Sequence, residues 1–166
     1  MYTRAESVEL FVNGKSVGVQ KPGKEFQYVA LFDTVYEPGE IKAVASDGEI
    51  YILQSAEDEG TLKAYVDPRE LADKNRELTY IEISICDKNG VLNPASVKNV
   101  QIQIEGDGVI QGYGSADPLS EENFFDHEAA AYHGRLLAVI RHGKDRGAVK
   151  VTFSAEGCED AVVELD

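Results

Sequence analysis

Apolar and polar residues alternate along most of the chain, and short turn sequences interrupt the alternation. Near the N-terminus the alternation runs as far as Val12, breaks at Asn13-Gly14 and then resumes up to position 20. Asn-Gly accepts positive φ at both positions and favours the type I′ turn that joins two antiparallel strands. The pattern therefore predicts a β-hairpin with one buried face. The predicted cross-strand pairs are Val8–Val19, Leu10–Val17 and Val12–Lys15, and the predicted buried stripe is Val8, Leu10, Val17 and Val19.

Similar patterns predict further short strands up to about position 54. A third strand is predicted at 26–32. A second hairpin is predicted from strands at 41–45 and 49–53, because the Asp47-Gly48 dipeptide between them is a good two-residue turn. The predicted cross-strand pairs of this second hairpin are Ala43–Ile52 and Ala45–Ile50.

After a small acidic junction at 55–60, strand patterns continue to the C-terminus. The clearest is at 78–86, where isoleucine occupies every second position from 81 to 85 and marks one buried face. A single turn of helix is predicted at 70–72. The segment 115–131 shows little periodicity and is predicted to be irregular. The other predicted strands lie at 61–66, 100–105, 109–113, 132–141, 148–155 and 161–165.

Short strands separated by turn residues predict an all-β fold built from immunoglobulin-type β-sandwiches. The length of 166 residues allows one ordinary domain or two small ones. With the acidic junction as the boundary, we predict two consecutive immunoglobulin-like β-sandwich modules, at 1–57 and 58–166.

The charge balance argues against one class of partner. The chain carries 16 basic and 30 acidic side chains and a formal net charge of −14. Nucleic acids and anionic membrane surfaces would be repelled, so neither is expected as a partner. No apolar run approaches the roughly 18 residues that a membrane helix requires.

The two cysteines, Cys86 and Cys158, are predicted to be free thiols. The apolar face of the strand at 78–86 is formed by the isoleucines, so Cys86 points to the other side, and Cys158 follows a glycine in a turn. Free thiols suit a reducing compartment. We therefore expect a cytoplasmic location in a bacterium, with a secreted or surface location as the alternative.

The acidic residues do not by themselves define an active site. A glycosidase needs two carboxylates that face each other across a sugar in a cleft. The strand residues Glu9 and Glu82 instead alternate with apolar positions and are predicted to face solvent. The densest group of titratable residues lies in the irregular segment and comprises Asp117, Glu121, Glu122, Asp126, His127, Glu128 and His133.

That segment lacks the spacing of a calcium loop, a zinc pair or a serine nucleophile elbow. Phe124 and Phe125 beside the acids indicate a loop held by aromatic packing. We therefore predict no catalytic residue, no metal site and no cofactor. Exposed aromatic rings are typical of carbohydrate-binding modules, and the tyrosines in or beside strands keep that alternative open. These tyrosines are Tyr28, Tyr36, Tyr51, Tyr80 and Tyr113.

Several motifs resemble the C-terminal half of glycoside hydrolase family 2 β-galactosidases. The sequences VELFVNGKSVG at 8–18 and YEPGEIKAVA at 36–45 are similar to one β-sandwich module of these enzymes. Four later motifs are similar to the immunoglobulin-like module that follows it, and they appear in the expected order. They are ISICDKNG at 83–90, IEGDG at 104–108, GYGSADP at 112–118 and GRLLAVIR at 134–141.

The resemblance implies a non-catalytic region, because both catalytic glutamates of this family lie in an upstream barrel whose motifs are absent here. The parent enzyme would hydrolyse terminal β-galactosides. The first module of the family usually begins earlier, so we expect truncation at its N-terminus, and an unpaired strand edge or open core face near 1–54 that invites a second copy.

The expected partners are the upstream catalytic domains of the same polypeptide, with a homo-oligomer and a carbohydrate as further possibilities. The candidate contact loop comprises Asp117, Glu121, Glu122, Phe124, Phe125 and Asp126. The alternatives to a supporting module are a carbohydrate-binding module and a bacterial surface spacer or adhesin with an immunoglobulin-like fold.

Overall fold

The computed structural model shows antiparallel β-strands arranged in three four-stranded sheets. It describes residues 1–72 and 75–165, except for the side chains of Glu59 and Glu70. The all-β prediction is confirmed. The strands are β1 (Val8–Val12), β2 (Lys15–Gln20), β3 (Glu40–Ala45), β4 (Ile50–Gln54), β5 (Glu59–Tyr65), β6 (Leu78–Asp87), β7 (Asn99–Gly106), β8 (Gly108–Gly114), β9 (Glu128–Ala130), β10 (Arg135–His142), β11 (Val149–Ser154) and β12 (Ala161–Leu165).

The chain divides into two compact units, Met1–Ser55 and Ala56–Asp166. The first contains one sheet with the order β2-β1-β3-β4, and the second contains two sheets with the orders β5-β6-β10-β8 and β12-β11-β7-β9. One helical turn, α1 (Pro68–Ala72), lies where a turn of helix is predicted. None of the helices in the described ranges has the length and hydropathy that a membrane-spanning helix needs.

The predicted register of the first hairpin is correct only next to its turn. Val12 does stand opposite Lys15, but a β-bulge then shifts the pairing, so that Leu10 stands opposite Gly18 and Glu9 opposite Val19. A one-residue shift moves side chains to the other face of a strand. The predicted stripe is therefore wrong for β2, where Val17 is 36% and Val19 56% exposed, although Val8 on β1 is fully buried.

The second hairpin also has a shifted register. The Ala45 N–H donates to the Glu49 carbonyl and the Gly48 N–H to the Ala45 carbonyl, which makes the loop three residues long instead of two. Gly48 takes a positive φ of 92°, as three-residue hairpin loops require. The observed pairs, which replace the predicted ones, are Ala43–Tyr51, Val44–Ile50 and Lys42–Ile52.

The segment predicted as a third strand at 26–32 is not a strand. A 3₁₀ turn occupies Lys24–Phe26, and the next two residues, Gln27 and Tyr28, have positive φ values of 54° and 61°. Such values end an extended run. The segment still contributes to the core, because Ala30 packs with Val8, Ala43 and Ala45.

Strand β4 forms one edge of the sheet in the first unit, and every residue in it is exposed. Its side chains Tyr51 and Leu53, together with Leu10 and Ala43, line an open apolar groove of about 770 Å³. The sequence analysis expected an open edge or core face in this part of the chain, and β4 presents such an edge.

The second unit is a β-sandwich in which the inner faces of two sheets share one core. The isoleucine face of β6 is fully buried as predicted. The facing sheet contributes Val100, Val151 and Phe153, which are also buried to 1% exposure or less. Burying each of these large apolar side chains contributes about 1.5–3 kcal/mol, so this core holds the two layers together.

Two details of the second unit differ from the prediction. The segment expected to be irregular contains a short strand, β9, which pairs with the start of β7. The strand predicted at 132–141 begins only at Arg135, because His133 and Gly134 form a turn with positive φ values of 51° and 71°. The first difference follows from pairing with a strand distant in sequence, which local alternation does not reveal, and the second from the local turn between Tyr132 and Arg135.

Candidate functional site

The predicted contact loop connects β8 to β9 and lies on the surface of the second unit. Its aromatic side chains are partly exposed, with Phe124 at 60% and Phe125 at 67%. The Phe124 ring nevertheless lies against the backbone of Gly114, since Cδ1 is 2.7 Å from the point where a Cβ would stand. The Phe124 carbonyl also accepts the Tyr113 N–H at 2.7 Å.

The acidic residues of this loop divide into different local roles. Asp117 accepts the backbone N–H of Leu119 at 2.9 Å and closes a tight turn. Glu122 reaches across to β9, where its Oε1 accepts the N–H of Ala130 at 3.0 Å. Glu121 is exposed, and Asp126 lies 3.5 Å from the side-chain amide of Asn123.

A polar groove of about 520 Å³ runs beside this loop and brings Glu122 and Asp126 together with the outer face of β7. Its central carboxylate belongs to Glu128. The side-chain amides of Asn99 and Gln101 donate to its two oxygens at 2.9 and 3.1 Å. The other residues that line the groove are Ile102, Gln103, His127 and Ala129.

This groove is suited to hydrogen bonding. Both oxygens of Glu128 and both of Glu122 already accept hydrogen bonds from the protein, and both side chains are exposed. A general acid in a glycosidase usually sits in an environment that raises its pKa. Within residues 1–72 and 75–165, no three His, Cys, Asp or Glu side chains cluster closely enough to hold a metal ion.

The five tyrosines singled out in the sequence do not share one environment. Tyr113 is a core residue at 2% exposure. The exposed ones are Tyr36 at 70%, Tyr51 at 62%, Tyr80 at 45% and Tyr28 at 42%. The ring of Tyr113 packs against that of Phe153 in the core, with centroids 6.3 Å apart.

The sequence analysis missed a buried carboxylate at the end of β6. Asp87 is 1% exposed and accepts the backbone N–H groups of Glu57, Asn89 and Val91 at 2.8 to 3.1 Å. The Glu57 N–H, followed by the others, holds the pKa of Asp87 below its ordinary value. An aspartate directly before a turn sequence is the signal that could have identified it.

A cluster of polar side chains at the end of β10 was also not predicted from the sequence. Buried Arg76 donates from Nε to the hydroxyl of buried Thr79, which lies 2.8 Å from Nε2 of His142. Burial, and then the positive charge of Arg76, lowers the pKa of His142. The Arg146 guanidinium donates to the backbone carbonyls of Asn75 and Arg76, so this group ties the 142–147 turn to the segment before β6.

Both cysteines are free, as predicted. Cys86 is buried on the side of β6 opposite the isoleucines, and burial raises the pKa of its thiol. Cys158 is half-buried. A buried thiol with a raised pKa is a poor nucleophile, so Cys86 is a structural residue.

Comparison with known protein families identifies the family to which this chain belongs. Residues 62–164 match the model described as glycoside hydrolase family 2 C-terminal domain 5, and residues 1–51 match a domain of unknown function, DUF4982. The first match covers more than half of the chain and spans most of the second unit. The chain therefore belongs to the family 2 C-terminal domain 5 family, and the predicted resemblance is confirmed.

Individual relatives agree with this assignment. A beta-galactosidase from Bacteroides ovatus is 30% identical over an alignment of 168 positions, which covers 99% of this chain and 20% of the relative. A beta-glucuronidase from Formosa agariphila is also 30% identical, over 96% of this chain and 17% of its own length. The chain thus spans about a fifth of the length of these curated relatives.

Solved structures show the same relationship. The crystal structure of a glycosyl hydrolase family 2 member from Bacteroides cellulosilyticus matches 99% of this chain and 22% of its own, with 31% identity and a TM-score of 0.88. The match is to a minor part of a much longer chain, as it is for the curated relatives. The similarity is therefore to the C-terminal region of family 2 enzymes.

Proposed function

We propose that this chain is the non-catalytic C-terminal β-sandwich region of a family 2 glycosidase whose substrates are terminal β-galactosides. The observation that carries the proposal is the family match over 62–164, combined with relatives that are about five times as long. Both curated relatives are named as glycosidases. We take the second unit to be an immunoglobulin-like module, and we place the module boundary at the junction at 55–60.

The local chemistry supports a non-catalytic role. In the polar groove, the carboxylate oxygens of Glu128 are held by two side-chain amides and Glu122 is held by a backbone N–H. A glycosidase holds its two carboxylates on either side of a sugar in a cleft, whereas Glu122 and Glu128 are exposed and already accept hydrogen bonds from the protein. We propose that the unit supports the catalytic body or contacts between subunits.

The contact loop is the surface through which we expect the second unit to support the catalytic body. Leu119, Phe124 and Phe125 are 87%, 60% and 67% exposed within one segment. Large apolar side chains grouped on a surface mark interaction sites more often than isolated ones do. We propose that this loop contacts the upstream domains of the same polypeptide.

An activity comparison tests the catalytic part of the proposal. The chain would be assayed on chromogenic β-galactoside and β-glucuronide, in parallel with the protein encoded by the complete reading frame. We expect no turnover by the chain and β-galactoside cleavage by the complete protein. Turnover by the chain would overturn the non-catalytic role, and a complete protein active only on the glucuronide would overturn the substrate.

Mutagenesis of the complete protein tests the contact loop. The variant Phe125→Ser is expected to lower the temperature at which the complete protein loses activity, because it removes an apolar contact to the upstream domains. The matched variant Val162→Ser changes a residue of β12 that is 52% exposed and is expected to have no effect. Equal behaviour of the two variants would argue against the loop as the site of contact with the upstream domains.

We also propose a cytoplasmic location, because the two free thiols suit a reducing compartment. Cell fractionation tests this location.

A further inference from the structure

The outer face of the sheet β5-β6-β10-β8 carries more apolar surface than a solvated sheet face usually does. Tyr65 is 54% exposed, Tyr80 45% and Leu137 41%. On an antiparallel sheet with one face in the core, the other face normally carries polar side chains. These three residues alternate with the buried residues of their strands and therefore belong to the outer face.

One row of residues crosses this face from edge to edge. Tyr65 on β5 pairs with Glu82 on β6, Glu82 pairs with Leu137 on β10, and Leu137 pairs with Gly114 on β8. Gly114 has no side chain, and the ring of Phe124 lies over it. Adjacent strands are about 4.8 Å apart, so the row spans about 14 Å from Tyr65 to Gly114. An aromatic ring thus stands at each end of the row, with Glu82 and Leu137 between.

A hollow of about 430 Å³ opens beside the centre of the row. Leu137 and Glu82 line it together with Arg135, Tyr132 and His133. The rings of Tyr132 and His133 are in edge contact, with centroids 4.3 Å apart. Its volume falls within the range of about 300–1,000 Å³ that is typical of small-ligand sites.

The charged groups of the hollow are available to a ligand. The ion pairs in the described residues are Asp67–Arg69 and Glu57–Lys88, so neither Glu82 nor Arg135 is engaged in one. Both side chains are exposed. A carboxylate accepts hydrogen bonds and a guanidinium donates them, so the hollow offers both kinds of group next to apolar surface.

We propose that this row and hollow form a binding site for a saccharide chain of two or three rings. A pyranose has one apolar face of C–H groups and a rim of hydroxyls. The apolar faces stack on Tyr65 and Leu137, while Glu82 accepts hydrogen bonds from hydroxyls and Arg135 donates to ring or carboxylate oxygens. The saccharide class follows from the proposed function and rests on it.

The dimensions favour a saccharide over a protein partner. A stable protein interface buries about 800 Å² on each partner and needs a broad apolar centre. Here Tyr65 and Leu137 lie in one narrow row with the charged Glu82 between them, and Arg135 stands beside it. A flat, extended ligand with hydroxyls along both edges fits a narrow row of this kind.

The test is a titration of the 166-residue chain with two probes, a β-1,4-galactotetraose and a tetragalacturonate. Binding is monitored by the amide chemical shifts of the chain in NMR spectra. We expect binding with a Kd of about 1 mM or tighter. The shift changes should map to β5, β6, β10 and the segment 132–135. If the uronate binds more tightly, its carboxylate is the group that Arg135 binds. If the neutral probe binds more tightly, Arg135 binds hydroxyl groups. Both results support the site.

Variants of exposed residues connect the binding to this face. Tyr65→Ala and Leu137→Glu are each expected to weaken binding about tenfold, which corresponds to roughly 1.4 kcal/mol. The matched control is Tyr51→Ala, which removes an equally exposed tyrosine in the first unit and should leave the affinity unchanged. Retained amide shift dispersion would show that each variant is folded.

Three results would overturn the proposal. One is the absence of binding by both probes at about 10 mM. Another is binding that Tyr65→Ala and Leu137→Glu leave unchanged. The third is self-association of the chain that Leu137→Glu abolishes, because the face would then be an interface between copies. None of these results bears on the assays of the complete protein, so the site and the proposed function can fail separately.

Discussion

The hydroxyl of Tyr113 on β8 donates a hydrogen bond of 3.0 Å to the backbone carbonyl of Val100 on β7, and so joins the two sheets of the second unit. Tyr113 is 2% exposed and Val100 is fully buried. Burial raises the pKa of the Tyr113 hydroxyl, which therefore stays protonated and keeps its role as donor at neutral pH.

Replacing Tyr113 by phenylalanine is expected to destabilise the chain by about 0.5–1.5 kcal/mol, because the buried hydrogen bond between the two sheets is lost. Chemical denaturation of wild type and variant measures the difference. The control is Tyr51→Phe, which changes an exposed tyrosine and should alter the free energy of unfolding by less than about 0.5 kcal/mol. Equal effects of the two substitutions would contradict the role of the buried hydrogen bond.

The second unit is expected to fold without the first. Its core is formed by its own two sheets, whereas the core of the first unit is a small cluster around Val8. A fragment of residues 56–166 should therefore show a single cooperative unfolding transition, and the fragment 1–55 a weaker one or none. Differential scanning calorimetry measures both. A fragment 56–166 without a cooperative transition would show that the unit boundary is wrong.

Asp87 is expected to contribute to stability at neutral pH and to lose that contribution in acid. Its pKa is lower in the folded chain than in the unfolded one, because backbone N–H groups bind the carboxylate. The unfolded chain therefore takes up the proton first as the pH falls through about 4, and the stabilisation is lost from there downwards. Asp87→Asn should be less stable than wild type at pH 7.

The measurement for Asp87 is the melting temperature of wild type and Asp87→Asn between pH 7 and pH 3. The gap between the two should narrow as the pH falls. Glu82→Gln is a suitable control, since Glu82 is an exposed residue of the same strand. A gap that stays constant over the whole range would mean that the ionised carboxylate is not the source of the stability.

His142 is expected to make the second unit less stable below pH 6.5. Burial and the nearby Arg76 lower its pKa in the folded chain, so the unfolded chain binds the proton at a higher pH. Stability is therefore complete above the ordinary histidine pKa of about 6.5 and falls as the pH drops towards the lowered value. The midpoint of its titration in the folded chain should therefore lie below the ordinary histidine value of about 6.5.

Titration of the His142 ring signals by NMR measures this midpoint directly. The variant Thr79→Val removes the hydroxyl that lies 2.8 Å from Nε2 of His142 and should shift only that titration. A His142 signal that titrates at or above about pH 6.5 would contradict the environment described for it.

The prediction of the fold succeeded where burial and alternation coincide. Ile81, Ile83 and Ile85 occupy every second position of β6 and all reach the core. The prediction failed where the length of a turn decided the register. Asp47-Gly48 reads as a two-residue turn, but the hairpin uses three residues, and this places Tyr51 opposite Ala43. Local sequence does not distinguish these loops, because the energies of the two turns are similar and packing selects between them.

The sequence by itself determined the all-β class, the isoleucine face of β6, the two free thiols and the family, because each depends on residue types at fixed spacing along the chain. Only the tertiary structure decided that Glu122 and Glu128 meet in one groove, that Asp87 is buried, and that Tyr65, Glu82, Leu137 and Gly114 align in one row. These relationships join strands far apart in the chain, and their register is set by bulges and by core packing, which a pattern along a single strand does not contain.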